Sequence, residues 1–173
     1  MAQLRNTKSF HVLAIIILSI ALNSCISYSF TGASIPPEAK TISVQYFDNQ
    51  ADFVNPTLSE ALTTSIKDRF TNQTSLVLVK QSGDLQIEGV ITDYKSSPQA
   101  LTAGETAALT RLTITINVKF VNLLEPENNY ETSFTRYEDY DSNSDLSEVQ
   151  DGLVEAINIV LVDDIFNKAV VNW

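Results

Sequence analysis

The chain has 173 residues and a mass of 19.1 kDa, with 44% apolar and 18% charged side chains; this is one globular domain with a short excess, and it excludes repeat arrays and multidomain enzymes. Twenty-one acidic against 11 basic residues give a net charge of -10, a balance that repels a polyphosphate backbone and makes nucleic acid a poor partner. The single Cys, single His and single Met all fall near the start of the chain.

Arg5 and Lys8 precede an apolar stretch from Val12 to Leu22, interrupted only by Ser19, and no acidic residue occurs before Glu38. This pattern is that of a secretory signal peptide, expected over residues 1–24. The stretch is too short for a permanent span, which needs roughly 20 apolar residues. It runs into Leu22-Asn23-Ser24-Cys25, which resembles a bacterial lipobox, with Asn23 departing from the small apolar residue usual at that place. Cys25 has no second Cys to pair with and follows the apolar stretch directly, so the expectation is a lipidated Cys25 in a Gram-negative envelope protein. Cleavage would remove Arg5 and Lys8 and no acid, leaving nine basic against 21 acidic groups, a net charge of -12.

From Cys25 to Trp173 there is no His, no Met and no thiol other than Cys25. Triads built on imidazole or thiolate therefore cannot form, and zinc or copper sites lose their usual ligands. The five glycines, Gly32, Gly83, Gly89, Gly104 and Gly152, fit no phosphate-cradling loop. Glu88, Asp93, Glu105 and Asp139 are the carboxylates available to a glycosidase-like pair, and solvated surface is the better reading of them. Asp139, Asp141 and Asn143 copy the opening of a calcium loop, but Ser144 and Gln150 stand where glycine and a bidentate glutamate are needed. No catalytic residue, metal site or cofactor is expected.

In chain order, residues 25–40 carry Pro36 and Pro37 among small polar residues and suit an extended tether; the fourteen from Ile26 to Ala39 reach at most about 50 Å. A single α+β domain is expected over 41–173. Thr41 to Phe47 alternates Ile42, Val44 and then Tyr46 or Phe47, a first strand. Asp48 to Val54 reads as a loop. Asn55 and Pro56 form an N-cap and a first helical position, after which Leu58, Leu62, Ile66 and Phe70 line one face of a helix ending near Asn72. Leu76 to Val79 is a short strand, and Ser82-Gly83-Asp84 turns the chain into a strand from Leu85 to Lys95 with Leu85, Ile87 and Ile91 on one face. Ser96 to Glu105 is a loop.

Ala107 to Asn122 carries the strongest strand signal, Leu112, Ile114, Ile116, Val118 and Phe120 alternating with Thr113, Thr115, Asn117 and Lys119. Pro126 to Asn129 is a turn, and Tyr130 to Tyr140 supplies a partner strand with Tyr130, Thr132, Phe134 and Arg136 on one face. Asp145 and Glu148 form a capping-box-like start to a helix of some twenty residues with Leu146, Val149, Leu153, Ile157, Val160, Leu161 and Ile165 along its stripe. Such a helix must cover a sheet, because each apolar side chain stabilises by about 1.5–3 kcal/mol only when buried. The order predicts a two-layer α+β sandwich, two helices on one face of a mixed, largely antiparallel sheet. The Thr- and Asn-rich face is left open.

The segments RLTITINVKFVN (Arg111 to Asn122), DIFNKAVVNW (Asp164 to Trp173), NPTLSEALTTSIKDRF (Asn55 to Phe70) and YSFTGASIPP (Tyr28 to Pro37) resemble the Bacteroidetes branch of the lipopolysaccharide-assembly lipoprotein family, LptE. The resemblance spans nearly the whole chain after Cys25. It implies a non-enzymatic outer-membrane lipoprotein, lipid-anchored and facing the periplasm, that plugs an LptD-like outer-membrane β-barrel, assists its assembly and helps deliver lipopolysaccharide. Contact with that anionic glycolipid is expected through basic residues, and in this acidic chain the candidates are Lys95 and Arg111 at one hairpin end, with Arg136 on the next strand. Trp173 reads as a cap on the final helix or a partner-facing anchor. The rival readings are an adaptor that activates a cell-wall synthesis enzyme and, from a different class, a carboxylate-dependent glycan hydrolase.

Overall fold

The computed structural model describes residues 35–53, 55–100 and 108–170. The signal segment, Cys25, Glu105 and Trp173 lie outside these residues. The strands are β1 (Thr41–Val44), β2 (Asp48–Asn49), β3 (Val77–Val79), β4 (Leu85–Pro98), β5 (Leu109–Asn122) and β6 (Tyr130–Asp141); the helices are α1 (Leu58–Gln73) and α2 (Leu146–Val170), with one 3-10 turn at Pro126–Asn128. They form one open mixed sheet in the order β3-β1-β4-β5-β6, with β2 alongside β4 beyond the end of β1. β1 runs parallel to β3 and β4, and β4, β5 and β6 form an antiparallel meander. The expected α+β sandwich is thus the observed one.

The alternation in β5 decides which face is covered. Leu112, Ile114, Ile116, Val118 and Phe120 are buried under the helices, while Arg111, Thr113, Thr115 and Lys119 face the open side. Helix α1 contributes Leu58, Leu62, Ile66 and Phe70, each with no exposed surface. Its start is held by Asn55, whose Oδ1 accepts from the N–H groups of Thr57 and Leu58 at 3.0 and 3.1 Å. The regular helix begins at Leu58, two residues later than Pro56, yet Asn55 performs the capping expected of it. α2 buries Val154, Ile157, Leu161, Val162, Ile165, Phe166 and Val170, and leaves Val160 exposed, contrary to the expected stripe. Asp145 Oδ1 accepts from Ser147 N–H at 2.9 Å, so the acid caps α2. The helices meet where Phe70 packs edge-to-face on Phe166, centroids 5.1 Å apart, with Arg69 reaching Asp163 at 2.9 Å.

Two local shifts of phase depart from simple alternation. The expected strand Thr41 to Phe47 stops at Val44, and pairing with β4 resumes at Asp48, so four steps on one strand match three on the other: Val44 faces Ile87 and Asp48 faces Val90. The extra residue turns Phe47 inward instead of Tyr46, which is exposed. Phe47 N–H donates to the Thr63 hydroxyl of α1 at 3.1 Å, and its ring lies over Gly89, where a Cβ would come within 2.3 Å of Phe47 Cε1. In β4 a bulge at Thr92 separates the pairs Ile91 to Ile116 and Asp93 to Thr115. Leu85, Ile87 and Ile91 point to the core as expected; beyond the bulge Tyr94 does so, while Asp93 and Lys95 turn to the open face. β4 also continues to Pro98, three residues into the expected loop.

Residues Ile35 to Lys40, placed by the sequence in the tether, join the folded body: Ile35 packs against the core, Ala39 is buried, and Ala39 N–H donates to Pro36 O at 2.9 Å. The start of β1 is then clamped by Asp84, whose Oδ2 accepts from Lys40 N–H and Thr41 N–H, both at 2.9 Å, and from the Thr41 hydroxyl at 2.8 Å. Led by the bond from the Lys40 backbone, these hold the Asp84 carboxyl below its ordinary 3.8. A carboxylate with a depressed folded-state pKa contributes stability that is fully present above the unfolded value of about 3.9 and is lost as pH falls through the folded one. Thermal melts across this acid range should therefore show a shallower loss of Tm for Asp84→Asn than for wild type, from a lower starting Tm at neutral pH; identical acid limbs would remove the clamp from the account.

Candidate functional site

The open face of the sheet near the β4–β5 hairpin gathers the polar side chains that the helices leave uncovered. The bulge at Thr92 puts Lys95 on this face, and strict alternation puts Arg111 there; Lys95 pairs across to Thr113, and Arg111 to Ser97 on one side and Asp139 on the other. Lys95 and Arg111 are therefore brought to the same surface, two ladder positions apart. Arg136 is not with them. It pairs with Ile114, so it lies on the helix-covered side, where its Nε meets Asp164 of α2 at 2.8 Å. The expected three-residue tip is a two-residue one, for the reason that adjacent residues of a strand point to opposite faces.

Both remaining cations are matched by acids. Lys95 Nζ lies 2.7 Å from Asp93 Oδ2. Arg111 donates through Nε and Nη2 to the two oxygens of Asp139 at 2.7 and 2.8 Å, a fork-on-fork geometry with added strength and direction. The guanidinium also lies over the Tyr137 ring, 3.5 Å from its centre, a contact worth about 0.5–1 kcal/mol at an exposed place. The hydrogen bond from Arg111 holds the Asp139 carboxyl low, and the same bond raises the guanidinium. The four charges sum to zero, so an anion arriving here must share Arg111 and Lys95 with carboxylates already in place. Tyr137 and Asp139 were missed as members of this cluster by sequence reasoning; the signal was present, since β6 alternates in step with β5 and puts them on one face.

The other candidates disperse. Glu88 faces Lys119 at 3.5 Å, and Asp93 and Asp139 are engaged with Lys95 and Arg111. Asp141 Oδ1 accepts from Asn143 N–H and Nδ2, both at 2.8 Å, a closed turn in place of a calcium loop. Among the described residues no group of three His, Cys, Asp or Glu is arranged to hold a metal ion, and no helix is long and apolar enough to cross a membrane. A groove of about 340 Å³ between the helices, lined by Ser65, Asp68, Arg69, Asn72, Ile159 and Asp163, is bridged by the Arg69 to Asp163 ion pair.

Solved structures share this fold. A minor lipoprotein from Acinetobacter baumannii aligns with a TM-score of 0.50 at 15% identity, covering 75% of this chain and 91% of that one. The rare lipoprotein B from Shewanella oneidensis aligns at 0.51 and 16%, covering 74% and 92%. A hypothetical protein from Chlamydia trachomatis aligns at 0.51 and 9%, covering 78% and 99%. At these identities the likeness is one of fold. No curated protein matches the sequence. The family model described as LptE, Lipopolysaccharide-assembly, matches residues 39–169, a span that contains every strand of the sheet, all of α1 and all but the last residue of α2, and the chain belongs to that family.

Proposed function

We propose that this protein is an outer-membrane lipoprotein that plugs a large β-barrel and assists the assembly and delivery of lipopolysaccharide there, without catalysing a reaction. The observation that carries the reading is the family match over residues 39–169. Residues 1–24 serve as the signal peptide, Cys25 is acylated, and the domain faces the periplasm from the membrane. The two-layer architecture suits a plug: one face is closed by helices, and the other offers a polar surface that no described element covers. Cross-linking in cells followed by pull-down tests it. Recovery of an outer-membrane barrel is expected, whereas recovery of a penicillin-binding protein would favour the cell-wall adaptor instead.

Within this reading Lys95 and Arg111 make the glycolipid contact. The pair supplies guanidinium and ammonium donors to phosphate, and a hydrogen bond to a charged group contributes about 1.5–3 kcal/mol. Lys95→Glu with Arg111→Glu should weaken lipopolysaccharide binding by roughly tenfold or more, about 1.4 kcal/mol per decade, while the domain stays folded. Asp139→Asn releases Arg111 and should strengthen binding. Direct titration reads both; affinities unchanged in both variants would remove the tip from the contact.

A further inference from the structure

Among the described residues β6 is the last strand of the sheet, and its outer edge is long. Its register with β5 is unbroken from Phe120–Tyr130 to Leu109–Asp141. Ser142 N–H donates to Ala108 O at 3.1 Å, which brackets Leu109 and Asp141 as a pair that exchanges no hydrogen bonds of its own. Because such pairs alternate with hydrogen-bonded ones, Asp139, Tyr137, Thr135, Ser133 and Glu131 have the same status. Their backbone N–H and C=O groups point away from β5. The Thr135 carbonyl bears this out independently, since it accepts from Arg136 Nη1 at 2.8 Å. Among the described residues no strand lies beyond β6.

An exposed edge of this kind is a template for another strand, and proteins blunt such edges with proline, lysine or a bulge as well as with other charged and inward-pointing charged side chains, of which Arg136 is one here, neutralised by Asp164. β6 has no proline, lysine or bulge. What it has is acid: Glu131, Asp139 and Asp141 on the open face, Asp139 already shared with Arg111, and Glu138 on the helix side, where Arg136 is engaged by Asp164. That charge opposes a second copy of the same strand. Antiparallel self-pairing over most of its length, with the twofold axis at Thr135 or Arg136, sets Glu131 opposite Asp139 or Asp141, and like charges directly opposed are destabilising.

We propose that the β6 edge is a strand-addition site for an extended segment of a partner protein carrying Lys or Arg at alternate positions. The backbone row supplies affinity and the flanking carboxylates supply selectivity for a basic strand. The site shares only Asp139 with the glycolipid contact, and its backbone row does not depend on that contact, so failure of either leaves the other standing.

The test uses the full mature chain in detergent and an alternating Lys-Val peptide of β6's own length. The peptide should bind and slow hydrogen exchange at the Ser133, Thr135 and Tyr137 amides; an alternating Glu-Val peptide should not. Ser133→Pro removes an outward N–H without touching the bonds to β5 and should weaken binding about tenfold with an unchanged melt. Glu131→Lys, on the open face with Asp139 and Asp141, leaves the backbone intact should the proline variant fail to fold, and should narrow the preference between peptides. The proposal is overturned by any of four results: no binding of the Lys-Val peptide, equal binding by Ser133→Pro, the same three amides already protected in the free chain, or a dimer joined through β6.

Discussion

Gly89→Ala is expected to lower stability by about 3 kcal/mol or more, far beyond the usual effect of adding one methyl group. A Cβ at this position would lie 2.3 and 2.7 Å from the Phe47 ring and 2.6 Å from the backbone oxygen of Asn117. The ring belongs to a fully buried side chain, and the oxygen to the neighbouring strand, so neither neighbour can swing aside freely. Expelling Phe47 forfeits about 1.5–3 kcal/mol of burial and breaks its backbone bond to Thr63. At roughly 2–4 °C per kcal/mol for domains of somewhat larger size, the melt should fall by about 6–12 °C or more. Shrinking the ring should recover part of the loss, so Phe47→Leu in the Gly89→Ala background is less harmful than in wild type. A double-mutant cycle in urea measures this coupling. A Gly89→Ala variant as stable as wild type would mean that the ring does not occupy that place.

The second large effect concerns location. Cys25→Ala, exported behind a signal peptide whose cleavage does not require the cysteine, should move the protein from the membrane fraction to the soluble periplasmic fraction, with little change in the melting of the folded body. A single acyl chain holds a protein only marginally, and stable anchoring takes more than one, each buried methylene contributing about 0.8 kcal/mol. Removing the sulfur removes all the chains that would be attached to it, so the shift in partition is expected to be nearly complete. Fractionation with mass spectrometry of the wild-type N-terminus reads both halves of the claim. Membrane retention of the Cys25→Ala chain would show that something other than acylation holds it.

Most of the fold was legible because burial follows period. The alternation of Leu112 to Phe120 and the recurrence of Leu58, Leu62, Ile66 and Phe70 each named a covered face, and the structure covers those faces. What was not legible were the places where the period slips by one. Nothing about Thr92 marks it as a bulge, yet without it Lys95 would share a face with Leu85, Ile87 and Ile91, and the cluster with Arg111 would not exist. Likewise Tyr46 and Phe47 are both aromatic, and the choice between them depends on the space over Gly89, a contact more than forty positions away in sequence. Arg136 failed for the opposite reason. Its parity with Tyr130 and Phe134 was read, but that parity assigns it to the helix side and not to the tip. The pairing of Arg111 with Asp139 needed only the hairpin register, which the turn at Pro126–Asn128 sets.

The docking of Ile35 and Ala39 onto the body has a bearing on how the domain meets its partner. If Cys25 is acylated as proposed, the ten peptide units from that residue to Ile35 limit the reach of the body from the lipid to at most about 35 Å. A body so tethered would encounter a membrane-embedded partner beside it at an effective concentration on the order of millimolar. Weak individual contacts then suffice for lasting occupancy, and lengthening the line, with no change to any touching surface, would dilute the pair.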